Sequence, residues 1–212
     1  MIPRILHYCW YGPAALSAQA QAFIEGWRRH CPDYSIKRWD DTNSPLGIGY
    51  VRRALELENW ANASNYVRLF AVHQDGGIYL DTDVEVLKSL DSLLANRCFF
   101  GWQNPAKLKS GVNNAVFGAE QGHPFIQDLM DALLATFDGS ETADLSSPRL
   151  VSRLLIERGL TEHVAGVAQL GDVTLYPRRY FYPYLFDEEY TPECVTQDTC
   201  CIHHWRMSWV EK

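Results

Sequence analysis

Residues 75–83 read DGGIYLDTD, from Asp75 to Asp83. Two glycines break whatever precedes them. Three apolar residues follow, Ile78-Tyr79-Leu80, and two aspartates come directly after. A short apolar run without alternation reads as a strand buried on both faces, as in a parallel sheet. The aspartates then stand at its carboxyl end, where open α/β sheets bind ligands. Two residues apart on extended backbone, Asp81 and Asp83 point to one side. Like charges so close repel unless a cation lies between them. Hard oxygens of this kind suit a divalent metal holding a diphosphate. Solvated turn aspartates are the plainer alternative.

The pattern extends in both directions from that strand. Upstream, Ser64 to Gln74 (SNYVRLFAVHQ) reads as a helix that Gly76-Gly77 ends, with Asn62 or Ser64 as its cap. Asn65 and Arg68 are three apart and share one face of it; a guanidinium there suits a phosphate or a sugar hydroxyl. Ile2 to Trp10 reads as a strand, Ser17 to His30 as a helix and Tyr34 to Trp39 as a strand. Asp40 to Gly49 is a loop rich in turn residues. Downstream, Leu90 to Leu94 is a short helical piece, and Phe99 to Trp102 and Ala115 to Phe117 are strands. Pro124 to Phe137 and Pro148 to Arg158 are helices, the second capped by Ser146-Ser147; Asp138 to Ser147 is a polar loop. Val173 to Tyr176 and Cys200 to Trp205 complete the strands. The alternation predicts one α/β domain over residues 1–212, with a mainly parallel central sheet flanked by helices.

Composition narrows the function. The 212 residues carry 19 basic and 26 acidic side chains, a net charge of -7. Basic residues occur in pairs such as Arg28-Arg29, with no stripe for a nucleic-acid backbone. No apolar run approaches the ~18 residues of a spanning helix. The opening MIPRILHYCWYGP does not read as a secretory leader, so a cytoplasmic location is expected. The 6 cysteines form no C-x-x-C pair, which argues against a zinc knuckle or a thioredoxin motif. His203 and His204 stand beside Trp205, Ser208 and Trp209, as metal-ligand candidates with an indole and a hydroxyl to close a pocket. His7, His73, His123 and His163 are scattered and read as structural or surface residues.

These blocks together resemble the DXD-containing sugar transferases of glycosyltransferase family 32. The blocks are IPRILHYCWYG at 2–12, HCPDYSIKRWD at 30–40, WANASNYVRLFAVHQDGGIYLDTDVEVLKSLD at 60–91, NNAVFGAEQGHP at 113–124, YPRRYFYP at 176–183 and IHHWRMSW at 202–209. They span nearly the whole chain. The family includes capsule, polysaccharide and yeast-type mannosyl transferases and is distantly similar to the glucosyltransferase domain of large clostridial toxins. The resemblance implies a GT-A-type fold, a nucleotide-diphosphate sugar donor, Mn²⁺ or Mg²⁺, and retention at the anomeric carbon. It implies that Asp81 and Asp83 are the DXD pair, with Asp83 the direct metal ligand and Asp81 toward the ribose and sugar. Arg68 would contact the donor sugar or phosphate, Trp10 the base, and Tyr79 would stand beside the DXD. His203, His204, Ser208 and Trp209 would complete the metal and diphosphate site.

Two positions depart from the family pattern. Asn65 stands where the family has an aspartate that holds donor-sugar hydroxyls, and Ser146-Ser147-Pro148 replaces Thr-Gly-Pro. The expected activity is transfer of a hexose to a glycan or lipid-linked glycan. A lipid-linked acceptor would bring the chain to the inner face of a membrane, without general attraction from its acidic charge. The alternatives are a protein or small-metabolite acceptor, and a non-catalytic nucleotide-sugar binder made possible by Asn65.

Overall fold

A computed structural model of the chain describes residues 1–163 and 165–206. In chain order the elements are β1 (Ile5–Cys9), α1 (Ala18–His30), β2 (Ser35–Trp39), α2 (Gly49–Glu56), α3 (Trp60–Asp75), β3 (Gly77–Leu80) and β4 (Val84–Val86). They continue with β5 (Cys98–Trp102), β6 (Val112–Ala119), α4 (Pro124–Thr136), α5 (Pro148–Glu157), β7 (Ala168–Leu170), β8 (Val173–Tyr176) and β9 (Cys201–His203). Short 3₁₀ turns fall between them, one at Asp91–Leu93 where a helical piece is expected.

Seven strands form one sheet in the order β2-β1-β3-β6-β5-β8-β7. β1, β2, β3, β5 and β8 run one way, and β6 and β7 run against them. The expected, mainly parallel α/β sheet is thus present. Every residue of β3, β5 and β6 is buried, because helices cover both faces. Side chains alternate between two cores. Ile78 and Leu80 join Leu6 and Trp27 on the α1 face, whereas Tyr79 joins Val67, Phe117 and Phe125 on the α3–α4 face.

Two connections position the site. The chain leaves α3 through Gly76 and Gly77, both at positive φ (67° and 113°), and enters β3 directly. A Cβ on Gly77 would lie 2.6 Å from the Ile5 carbonyl oxygen, so the position needs glycine for conformation and for closeness to β1. The hairpin from α3 to β3 lays the first half of α3 beside the carboxyl end of β3. In the second connection, β4 pairs antiparallel with β9, with Val84 opposite His203. That small sheet brings the end of the described chain back against the residue after Asp83.

The structure corrects several boundaries. α3 begins at Trp60, four residues before the expected start, so Asn62 and Ser64 are not caps but buried residues inside the helix. Ser147 occupies the position before α5, yet its hydroxyl bonds to the Asn114 side chain instead of capping the helix. α2, β4 and β7 are absent from the expectations because three to eight residues give too few turns or alternations to show a period.

His7 is fully buried and its ring is fully used. Nε2–H donates to the Gly76 carbonyl at 2.8 Å, and Nδ1 accepts from the Trp39 indole at 3.1 Å. That tautomer is neutral. A second proton would face the indole N–H, and burial, the largest influence, lowers the pKa to about 4. The folded pKa lies below the unfolded one of 6.5, so this group's stabilisation is present above pH 6.5 and is lost as pH falls toward 4. Urea unfolding across that window should show His7→Gln losing less stability than the native chain, by up to ~3 kcal/mol.

Candidate active site

Asp81 follows β3 and keeps one more ladder bond, its N–H donating to the Ala115 carbonyl at 2.9 Å. Its side chain turns toward α3. The Arg68 guanidinium meets both its oxygens, Nη2 to Oδ1 at 3.2 Å and Nη1 to Oδ2 at 3.4 Å. The Tyr79 hydroxyl donates to Oδ1 at 2.9 Å. Arg68 is buried and fixed from several sides. Its Nε donates to the Ser64 carbonyl at 3.2 Å, Nη2 to the Ser64 hydroxyl at 2.9 Å, and Nη1 to the Asn114 carbonyl at 3.1 Å. Its guanidinium also lies 4.7 Å from the centre of the Tyr79 ring.

Asp83 faces the other way, toward β9. His203 Nε2 lies 3.2 Å from Oδ1, and the Arg206 backbone N–H donates to Oδ2 at 2.8 Å. The His203 ring is itself packed at 4.3 Å against Trp205, and its buried Nδ1 has no hydrogen-bond partner among the described residues. Asp81, Asp83 and His203 each offer one ligand atom, and these atoms lie within 4.8 Å of one another.

The two carboxyls titrate differently. Burial is the largest influence on both and pushes both up. At Asp81 the neighbouring Asp83 adds to it, and the pKa stays above the usual carboxylate range despite Arg68. At Asp83 the charge of His203, its hydrogen bond and the Arg206 N–H together outweigh burial and hold the pKa below that range. His203 rises in turn: burial opposes its charge, but Asp83 more than compensates. Two carboxylates with one imidazole, paired by ring and guanidinium charges, are a donor set that fits a divalent cation.

The expected residues do not all converge. Tyr79, Arg68, Asp81, Asp83 and His203 meet. Asn65 lies one turn from Arg68 and donates to the Ala143 carbonyl and the Ser146 hydroxyl. Trp10 follows β1 and its indole N–H is bonded to the Ala14 carbonyl at 2.7 Å. His204 departs from expectation. Its Nε2 pairs with Glu85 at 2.9 Å and its ring stacks on Phe23, so it takes no part in the Asp81–Asp83–His203 cluster. Adjacent residues on extended backbone point oppositely, and only one histidine of the pair can face the aspartates. Ser208 and Trp209 lie outside the described residues. Ser64 and Asn114 escape the sequence reading. A polar pair, Asn113-Asn114, opening an otherwise apolar strand is the signal that marks the second.

Comparison with known proteins places this geometry. Residues 17–100 match the glycosyltransferase sugar-binding region containing DXD motif, and residues 118–211 match the alpha 1,4-glycosyltransferase conserved region. Inositol phosphoceramide mannosyltransferase 3 of Schizosaccharomyces pombe is 28% identical over 137 residues, 59% of this chain and 35% of that protein. The chain therefore spans about a third of that relative's length. The uncharacterized glycosyltransferase L373 of Acanthamoeba polyphaga mimivirus is 23% identical over 217 residues, 98% of this chain and 83% of the viral protein. Among solved structures, the PaToxG glycosyltransferase aligns with a TM-score of 0.64 at 18% identity, covering 74% of this chain and 70% of the other. That likeness shows the fold, which is GT-A.

The Arg68–Asp81 pair sets a stability test. Arg68→Met removes the cation and leaves Asp81 a partly buried, unpaired carboxylate. Because Asp81 keeps a quarter of its side chain exposed, the loss should fall at the lower end for a broken buried pair, about 3 kcal/mol. The gap should shrink as pH falls and Asp81 takes up a proton. Urea unfolding at pH 8 and pH 5 reads both effects.

Proposed function

We propose a donor, a metal and an acceptor for a chain whose two matched regions mark it as a DXD-type glycosyltransferase with a GT-A fold. The reading is transfer of a hexose from a nucleotide-diphosphate sugar to a hydroxyl of a glycan or lipid-linked glycan. One observation carries it: the paired aspartates after β3, compensated by Arg68 on one side and His203 on the other.

Asp81, Asp83 and His203 would hold the cation, and an imidazole among the oxygens favours Mn²⁺ over Mg²⁺. Bound there, a dication would neutralise charge on the diphosphate leaving group. Arg68 keeps a buried, oriented positive charge beside the same place and requires no reorganisation as charge develops. In the reaction the bond from the anomeric carbon to the diphosphate oxygen breaks. A bond from that carbon to the acceptor oxygen forms, and the acceptor proton leaves with the diphosphate. Asp81 is engaged by Arg68 and Tyr79, and Asp83 by His203 and the Arg206 N–H, so neither carboxylate is free to attack the sugar. Cys9, at the carboxyl end of β1, is no thiolate nucleophile, because burial pushes its pKa up to about 11. With retention, as the family resemblance implies, these commitments favour attack of the acceptor from the leaving-group side over a covalent intermediate on the protein.

For the acceptor, the similarity to an inositol phosphoceramide mannosyltransferase supports a sugar or inositol hydroxyl carried on a lipid. No helix among the described residues is long and apolar enough to cross a membrane. In this reading the chain meets such an acceptor at the membrane surface, from the cytoplasmic side.

Thermal unfolding with UDP or GDP, with Mn²⁺ or with EDTA, checks the donor site. One nucleotide at ~100 times its dissociation constant should raise stability by about 2.7 kcal/mol with Mn²⁺. The increment should vanish with EDTA and in Asp83→Asn. No shift with any nucleotide and metal would refute the donor reading.

A further inference from the structure

Three asparagines lie three residues apart at the start of α3: Asn59, Asn62 and Asn65. All three aim their side-chain amides at one segment, residues 139–146. Asn59 Nδ2 donates to the Gly139 carbonyl at 3.1 Å. Asn62 Nδ2 donates to the same carbonyl at 3.0 Å and to that of Glu141 at 2.7 Å. Asn65 Nδ2 donates to the Ala143 carbonyl at 3.0 Å and the Ser146 hydroxyl at 3.1 Å. Backbone carbonyls only accept, so these amides must present nitrogen, and their orientation is fixed. Asn62 even leaves its own Oδ1 buried and without a partner among the described residues to do so.

The same segment is held from its other side. Tyr50 donates to Glu141 at 2.6 Å, and a Cβ on Gly139 (φ +94°) would lie 2.7 Å from the Tyr50 carbonyl. One residue beyond it, Ser147 bonds the Asn114 side chain, and the Asn114 carbonyl holds Arg68. A path of hydrogen bonds joined by single residues of backbone therefore runs from Asn65 through Ser146-Ser147 and Asn114 to the guanidinium on Asp81.

We infer that Asn65 is a positioning residue, fastening residues 139–147 as a wall of the donor site by a donation that aspartate cannot make. An ionised carboxylate at 65 has no proton to give and would face the Ala143 carbonyl. On this inference, which rests on the donor-site reading above, Asn65 is not a weakened copy of a sugar-binding acid but part of a different wall.

Hydrogen exchange on the full chain without ligand tests the strap independently of any turnover. In Asn65→Asp and Asn65→Ala at pH 8, amides of 143–147, including Leu145, should exchange about tenfold faster, while those of β3 and β6 stay unchanged. Ser146→Ala keeps the Ala143 bond and should show a smaller change in the same direction. The second readout is donor hydrolysis with UDP-glucose and GDP-mannose. Asn62→Ala and Ser146→Ala should raise donor KM with kcat held within about twofold. Unchanged strap exchange in both Asn65 variants would overturn the inference. So would faster exchange with donor KM unmoved in Asn62→Ala and Ser146→Ala. If the native chain hydrolyses neither donor, the donor reading loses support, and the exchange measurement alone decides whether Asn65 fastens the strap.

Discussion

Two carboxylates two residues apart, both largely withdrawn from water, are the constraint on which the rest of the site depends. Left alone they would repel, and each would bear the cost of desolvation. The chain answers with two cations from opposite directions. Arg68 reaches Asp81 from α3, and His203 reaches Asp83 from β9. Neither is near the aspartates in sequence. The α3–β3 hairpin through Gly76-Gly77 supplies the first, and the β4–β9 pairing supplies the second. The fold is, in this respect, the device that brings compensation to the DXD turn.

The compensation is unequal, and the inequality is useful. Asp81 is tied by a buried guanidinium and a phenol, yet its carboxyl remains raised because burial and Asp83 outweigh them. Asp83 has an imidazole and a backbone N–H and stays below the usual range. The lower-pKa group is the readier metal ligand, since it is ionised whether or not a cation is near. The other gains more from a cation, because the cation relieves the repulsion that raised it. A cation would thus couple these titrations, and its affinity would depend on pH through His203, which must give up its proton to ligate, and through Asp81 more than Asp83.

Sequence made the centre legible and the periphery less so. β3 and the aspartates could be read because a buried strand is a continuous apolar run and because Gly-Gly punctuates it. Arg68 could be read from its helix face. The error in the start of α3 has a physical cause. Asn62 and Ser64 are cap-forming residue types, but here their side chains serve the 139–146 strap and Arg68, so local chemistry pointed to a terminus that tertiary bonding overrode. The histidine pair was ambiguous for a different reason. Strand geometry requires that the two point apart, but only the register of β4 against β9 says which one faces Asp83. Asn114 acts on Arg68 through its backbone carbonyl, a role that any residue type could fill, so the polar pair marks only its side-chain partnership with Ser147.

The turn after β9 shows how much the fold yields to Asp83. Trp205 sits at φ 54°, in the left-handed region that a bulky residue rarely adopts. Such backbone costs on the order of 1–3 kcal/mol and persists only where surroundings enforce it. Here they do. The Trp205 indole N–H is bonded to the Tyr184 carbonyl at 3.1 Å, and its ring lies on His203. The His204 N–H donates to the Asp83 carbonyl at 3.1 Å, and the Arg206 N–H to the Asp83 carboxylate at 2.8 Å. A helical or extended residue at 205 would aim the next N–H elsewhere. The β4–β9 pairing sets the imidazole, and the strained turn after it sets a backbone amide, on the same carboxylate. Left-handed backbone at Trp205, directly before the amide that meets the Asp83 carboxylate, shows how closely the returning chain is fitted to Asp83.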